Sequence, residues 1–406
     1  MRISVDDIIH RAIAKVSSEL RKLSLAIHDN PEVALKEKKA CKLLTDYLKA
    51  KGYEIELNAG GLSTAFIASY TSPAGHKGLN IGFCSEYDAL PQIGHGCGHN
   101  LIAVSGVAML LAISEVLDTC SIPGTVKLFG TPAEEAIGGK IIMEKQGVFD
   151  GTDLLMMVHP TPGYSGSWRS QCCLSMSVEY FGKASHAAMA PWEGINAGSA
   201  ATISMQTIGV LREQFKPEWR AHGIIAVGGQ VSNAIPDYSR IEYTIRAENT
   251  DDLKIVRGHV LRCFEAAALA TGCTRKVKEE YAYLDNQDNP VLGRMYEDLM
   301  REKYNEPPYP NAGGSTDFGN LSHDFITLHG LYDLAGTGVP NHSKRFTEDA
   351  RTETAHERTM FAAEAISRIA ARCLLDQGFW DSVKKAYGNR LACSSHRHNS
   401  DRHLVK

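Results

Sequence analysis

This sequence lacks a charge bias of either sign. Its 43 lysines and arginines stand against 47 aspartates and glutamates, a formal net charge of −4. That balance gives no argument for nucleic acid or an anionic membrane surface as a partner. The marks of a secretory leader are missing too. The opening MRISVDDIIHRAIAKVSSEL is amphipathic and charged throughout, with no short apolar core and no small-residue cleavage site. No apolar stretch approaches the roughly 20 residues that a membrane-spanning helix needs. No internal repeat is visible. The 10 cysteines are scattered along 406 residues, a chain too long to need stapling, and they read as reduced thiols rather than a disulfide framework. The expectation is a cytoplasmic protein without nucleic-acid or membrane partners.

What is present is patterned. Ile9, Ile13, Val16, Leu20, Leu23 and Ile27 follow a helical period, and Pro31 closes that helix. A second helix is expected from Glu37 to Lys51, stopped by Gly52. Strand candidates YEIEL, TAFIASY, LNIGF, TVKLFG and DLLMMV then alternate with helices over Leu101 to Leu117 and Gly139 to Gln146. This alternation predicts an α/β fold whose mostly parallel sheet is flanked by helices. From Ser170 the rhythm changes to β-α-β-β-α-β, the ferredoxin-like order. Residues 170–286 therefore read as an inserted α+β domain. Residues 1–169 and 287–390 read as the two segments of one split domain. The polar stretch 391–406 reads as a mobile tail.

Chemistry gathers at the ends of the apolar strands. After LNIGF comes SEYDALPQIGHGCGHN, with Cys97 and His99 separated by Gly98. A thiolate and an imidazole suit a borderline-soft ion such as zinc, and glycines let the backbone bend both side chains toward one point. An inert buried thiol is the competing reading. After TVKLFG comes TPAEEAIGG, where Glu134 and Glu135 precede a glycine-rich turn, a poor place for idle charge. One acid can bind metal while its neighbour serves as general base toward water. His159 closes DLLMMVHP. Three strand ends in one sheet, each carrying residues of ligand type, favour a metal site over coincidence.

The motifs IHDNPE, EYDALP, HGCGHN, TPAEE, VHP, GKASHAA, GGQVSNAIP with the downstream Arg246, GGSTDF and PNHSKRF follow one another in order. In this the chain resembles the metallopeptidases and amidohydrolases that include aminoacylase, carnosinase-type dipeptidases, glutamate carboxypeptidases and the hydrolases of indoleacetyl-amino acids. The resemblance covers nearly the whole chain. HGCGHN is similar to the cysteine-ligand amidohydrolase branch. EYDALP with Asn100 resembles cytosolic dipeptidase-like members related to aminobenzoyl-glutamate hydrolases. The resemblance implies two divalent metal ions, zinc first, with manganese or cobalt as alternatives. It implies Cys97, His99, Glu135, His159 and His342 as ligands, with Cys97 shared between the ions. Glu134 matches the general base, and Asp88 the acid that orients a ligand. The inserted domain matches a lid and dimerisation domain. Within it His186 matches a histidine that stabilises the oxyanion in the partner's active site, and Asn233 and Arg246 match groups that hold the substrate carboxylate. Gly313, Gly314 and Ser315 offer backbone N–H groups to the same end. A homodimer is implied.

Two departures stand out. Thr316 precedes Asp317 where many relatives have glutamate, and Glu86 stands where other branches supply a histidine. Both fit the cysteine branch, and with them the substrate preference of other branches does not carry over to this chain. The function expected is a metal-dependent amidohydrolase or dipeptidase: water activated at the metals attacks the amide carbonyl of a dipeptide or N-acyl amino acid with a free carboxylate, and Glu134 moves the proton. The alternatives are a specialised amidase or amide-forming enzyme of secondary metabolism, and a non-catalytic binding protein on the same fold. Retention of Glu134 with all five ligands argues against the last.

Overall fold

The computed structural model describes residues 4–305, 307–309 and 313–400. It contains two compact units. The first is built from Met1–Trp168, Asn286–Ala312 and Asn320–Lys406, and the second from Arg169–Asp285 with Gly313–Gly319. The late glycine-rich segment thus groups with the inserted unit. The reason is local: Gln171 N donates to Gly314 O at 2.8 Å, and Arg246 Nη1 donates to Ser315 Oγ at 2.9 Å.

The chain opens with α1 (Val5–His28), capped by Ser4, whose Oγ accepts from Asp7 N at 3.1 Å. Asp6 and Asp7 in the first turn complement the positive end of the helix dipole. The face read from the sequence, Ile9 through Ile27, is the buried one. Then follow α2 (Lys38–Ala50), β1 (Glu54–Leu57), β2 (Phe66–Thr71), β3 (Asn80–Ser85), α3 (His99–Thr119), β4 (Thr125–Gly130), α4 (Gly139–Lys145) and β5 (Leu154–Thr161). The second unit holds β6 (Cys172–Phe181), β7 (Ser185–His186), α5 (Ala197–Leu211), β8 (Arg220–Val227), β9 (Ala234–Ile235), β10 (Tyr238–Ala247), α6 (Thr250–Thr271) and β11 (Thr274–Glu279). After it come α7 (Pro290–Tyr304), α8 (Phe318–Asp324), β12 (Ile326–Asp333), α9 (Lys344–Asp349), α10 (Glu353–Leu375) and α11 (Gln377–Ser400). The tail expected from 391 continues α11 as helix to Ser400, and 401–406 lie outside the described residues.

The sheet of the first unit has the order β1-β2-β4-β3-β5-β12. Its pairings β3–β4, β3–β5 and β5–β12 are parallel, while β1–β2 and β2–β4 are antiparallel. Four neighbouring strands therefore end along one edge, where loops of an α/β sheet collect chemistry. α3 packs on β3, β4 and β5 and against α1 and α10. It corrects the expectation that no segment is long and apolar enough to cross a membrane. At 21 residues α3 meets that test of length and composition, but it is buried along almost its whole length as the central core helix. The second unit's sheet runs β11-β6-β10-β8, antiparallel throughout, with α5 and α6 packed together and on its strands. This is the ferredoxin-like arrangement.

α10 is capped by Thr352, whose Oγ1 accepts from Ala355 N at 3.2 Å. Thr352→Ala leaves that N–H without its cap and should lower stability by about 1 kcal/mol. Urea unfolding followed by circular dichroism checks this; an unchanged midpoint would show that the cap contributes nothing.

Candidate metal centre

The residues of the site come from the loops and strand ends along that edge. β3 leads to Glu86 and Asp88, and the same connection carries Cys97 to the start of α3, whose first residue is His99. Glu134 and Glu135 follow β4, His159 lies in the last half of β5, and His342 follows β12. Gly98 makes the bend between Cys97 and His99 with φ +73°, and a Cβ there would lie 2.5 Å from Pro160 Cγ. Only glycine meets both demands. His342 itself has φ +64°. That conformation is costly for a non-glycine residue, and it is held by His342 N donating to Gly96 O at 2.8 Å.

All five expected ligands meet in the first unit. The ligand atoms of Cys97, His99 and His159 lie within 4.8 Å of one another, and so do those of Cys97, Glu135 and His342. Cys97 is common to both groups. Its Sγ is 3.5 Å from His159 Nε2, and His342 Nε2 is 3.3 Å from Glu135 Oε1. Donors bonded at about 2.0–2.3 Å to one tetrahedral ion stand about 3.3–3.8 Å apart. These separations suit neighbouring ligands of one ion, and the Cys97–His159 contact also serves as a hydrogen bond.

The second ring nitrogens of His99 and His159 are fixed in the way metal ligands require. His99 Nδ1 donates to Asp88 Oδ1 at 3.1 Å, which leaves Nε2 with its lone pair toward the centre. His159 Nδ1 donates to Pro160 O at 2.9 Å, which leaves its Nε2 toward Cys97. Asp88 Oδ2 accepts from Glu135 N at 2.9 Å, so one carboxylate orients two site residues. His99 Nε2 and Glu135 Oε1 are buried with no hydrogen-bond partner. A thiolate, imidazoles and carboxylates with orphaned ligand atoms fit a divalent cation. Glu134 stands beside them, its Oε2 4.0 Å from His99 Nε2.

The electrostatics agree. Burial opposes ionisation of Cys97, but His159, hydrogen-bonded beside it, and the neighbouring His342 and His99 hold the thiol well below its ordinary value. Burial likewise opposes charge on His99, yet Asp88 and Cys97 hold the imidazole well above its usual range. The neighbouring Cys97 thiol and Glu135 carboxylate push His342 up to about 10. Burial and the Cys97 thiolate raise Glu135. A strongly anionic centre of this kind attracts protons or metal ions in competition.

Two neighbours of the centre escape a reading of motifs. Asn341 Nδ2 donates to Cys97 Sγ at 3.5 Å and to Pro160 O at 3.0 Å, tying its own loop to the loop of Cys97 and the end of β5. Glu86 is fully buried and its Oε1 accepts from the equally buried Lys140 Nζ at 2.5 Å. The adjacency of Asn341 to His342 was the only sequence signal for the first; the second was visible as a departure from the histidine of other branches, but without a role.

The other predicted residues belong to the second unit. β7 pairs with β9, which sets His186 opposite Ala234 and next to Asn233, whose carbonyl accepts from Ala187 N at 3.0 Å. His186 Nδ1 accepts from the backbone N–H groups of Ala188 and Met189, so its ring proton belongs on the exposed Nε2. Arg246 is on β10 and is anchored through Ser315, with Gly313 and Gly314 in the same segment.

A partly buried set of soft and hard donors at the carboxyl edge of a largely parallel sheet, with a further carboxylate at its side, defines a metal-dependent hydrolase. The comparisons with known proteins narrow the class. The peptidase dimerisation domain model of the M20 family matches residues 173–271, within the second unit. The Xaa-Arg dipeptidase of Mus musculus is 38% identical over 394 residues, covering 93% of this chain and 91% of that protein. A p-aminobenzoyl-glutamate hydrolase polypeptide of Escherichia coli is 26% identical over 438 residues, covering 89% and 90%. Among solved structures, a dinuclear metal binding peptidase of the M20 family from Bacillus subtilis superposes with a TM-score of 0.65 at 19% identity, covering 89% of this chain and 99% of that one, and shares the fold. The chain belongs to the M20 family of metallopeptidases and amidohydrolases. It is a hydrolase that uses divalent metal to cleave amide bonds.

Asp88→Asn supplies one acceptor and one donor where two acceptors are used, so one of His99 and Glu135 loses its orientation. Metal affinity should fall about 10- to 100-fold, measured by competition with a chromogenic chelator. Unchanged affinity would show that Asp88 orients neither.

Proposed function

We propose that this enzyme hydrolyses dipeptides or N-acyl amino acids with a free carboxylate, using two divalent ions held by Cys97, His99, Glu135, His159 and His342. The observation that carries the reading is the sharing of Cys97 between two triads of ligating atoms. The donor set suits zinc, with manganese or cobalt as alternatives. Because a relative at 38% identity is named an Xaa-Arg dipeptidase, dipeptides ending in arginine head the substrates to test. The cytoplasm is the proposed location.

When bound, the ions supply Lewis acidity and a water nucleophile at neutral pH. The chain's own residues do the rest. Glu134 accepts the proton of the attacking water and delivers it to the departing amine nitrogen. His186 donates its Nε2–H to the oxygen that becomes negative in the tetrahedral intermediate. Arg246 grips the substrate carboxylate through its fork, aided by Asn233 and by the backbone of Gly313, Gly314 and Ser315.

Glu134→Gln keeps the size and removes the basic oxygen. Turnover should fall about 10²- to 10⁴-fold while metal content, measured on the same sample, stays at the wild-type level. Cys97→Ala should lose metal and activity together. Wild-type turnover of the glutamine variant would remove Glu134 from the mechanism.

The working unit is proposed to be a homodimer formed through the inserted domain, in which His186 of one chain serves the Glu134 of the other. The support is the match to a dimerisation domain and the exposed β8 edge carrying Ile224 and Ile225. Homodimers of His186→Ala and of Glu134→Gln should both be inactive, and mixed dimers should regain one working site. Mixed dimers that assemble but stay inactive, or a fully active monomer, would contradict the shared site.

A further inference from the structure

Glu86 belongs to no expected ligand set, yet its setting is that of a ligand. Both it and Lys140 are completely buried. Lys140 occupies Oε1 at 2.5 Å. The other oxygen, Oε2, is buried without a hydrogen-bond partner and stands 3.4 Å from His99 Nε2. His99 Nε2 is the ring nitrogen left with a lone pair once Nδ1 donates to Asp88. Two acceptors thus face each other inside the protein, an arrangement that only a proton or a cation between them relieves. The 3.4 Å separation falls within that of neighbouring donors on one tetrahedral ion, about 3.3–3.8 Å for bonds of about 2.0–2.3 Å. A carboxylate oxygen of Glu86 also lies within 4.8 Å of Glu134, in a third group of ligating atoms with His99.

We propose that Glu86 is a further protein ligand, bound through Oε2 to the ion that His99 holds, and that Lys140 is the positioning residue that aims it. This rests on the metal-centre reading above. Lys140 serves the charge balance too. The Cys97 thiolate with the carboxylates of Glu86, Asp88, Glu134 and Glu135 carries five negative charges. Two dications neutralise four of them, and Lys140 supplies the fifth positive charge without competing for the ion. A carboxylate anchored by a buried ammonium cannot rotate away, so the ion on the His99 side meets a preformed donor.

The direct test is a crystal structure of the full-length chain loaded with zinc. Glu86 Oε2 should lie about 2.0–2.2 Å from the ion bound by His99 Nε2. A separation beyond about 3 Å, with the ion in place on Cys97 and His99, would overturn this inference and leave the proposed function standing. No ion on Cys97 and His99 after saturation would overturn both. In solution, the double variant Glu86→Gln/Lys140→Met removes both charges and so leaves no buried lysine uncompensated. Chelator competition should show one of two zinc ions weakened at least 10-fold, as about 10- to 100-fold is typical even for outer partners of a ligand. Wild-type affinity for both ions would overturn the assignment.

Discussion

A cluster of anionic donors inside a protein survives only if cations neutralise it, because removing a charge from water costs several kcal/mol per ion even after relaxation. Cys97, Glu86, Asp88 and His99 are all buried within one loop connection, and Glu135 is nearly so. That single constraint accounts for most of what surrounds them. It explains the depressed thiol, the raised imidazoles, the buried lysine and the carboxylate that aligns two neighbours at once. It also explains why the cluster sits at the edge of a sheet: only a rigid frame keeps like charges at ligand spacing rather than letting them swing into solvent.

The frame is the parallel part of the six-stranded sheet. β3, β4, β5 and β12 are held at fixed spacing by their ladders, and α3 and α10 cover β5 from within the core. Each strand then contributes what its end can reach. The glycine bend at Gly98 lets the Cys97 thiolate and the His99 ring converge while the next residues are already helical. The strained backbone at His342, pinned to Gly96, brings an imidazole from a distant part of the chain to the same point. Strain of this kind is tolerable where the surrounding hydrogen bonds over-determine it.

Much of this was legible in the sequence, and the gaps have physical causes. Cys97, His99, Glu135 and His159 could be read because each follows an apolar strand, where a polar residue of ligand type is conspicuous. The helix face of α1 could be read because its period is 3.6. β12 was missed because all eight of its positions are buried. A strand covered on both faces shows no alternation. The length of α3 was underestimated for a related reason: a helix buried all round shows little periodicity, and His99 and Asn100 at its start look like loop. Glu86 stood in view as a departure, but its meaning depends on Lys140, 54 residues away. The glycine-rich segment at Gly313 could not be assigned to the inserted unit from sequence, because the link is made by Gln171 and Arg246. The boundary of the tail likewise depends on where α11 ends, and polar composition alone does not mark it.

Coupling between bound metal and amide hydrolysis is the property of this chain on which everything else depends. The most direct measurement is a titration of chelator-stripped protein with zinc, following hydrolysis of a panel of Xaa-Arg dipeptides and N-acyl amino acids alongside bound metal. The stripped protein should show no turnover, and activity should rise with occupancy to a plateau at two ions per chain. Turnover that is independent of metal, or metal bound at that stoichiometry with no amide cleaved anywhere in the panel, would contradict the coupling.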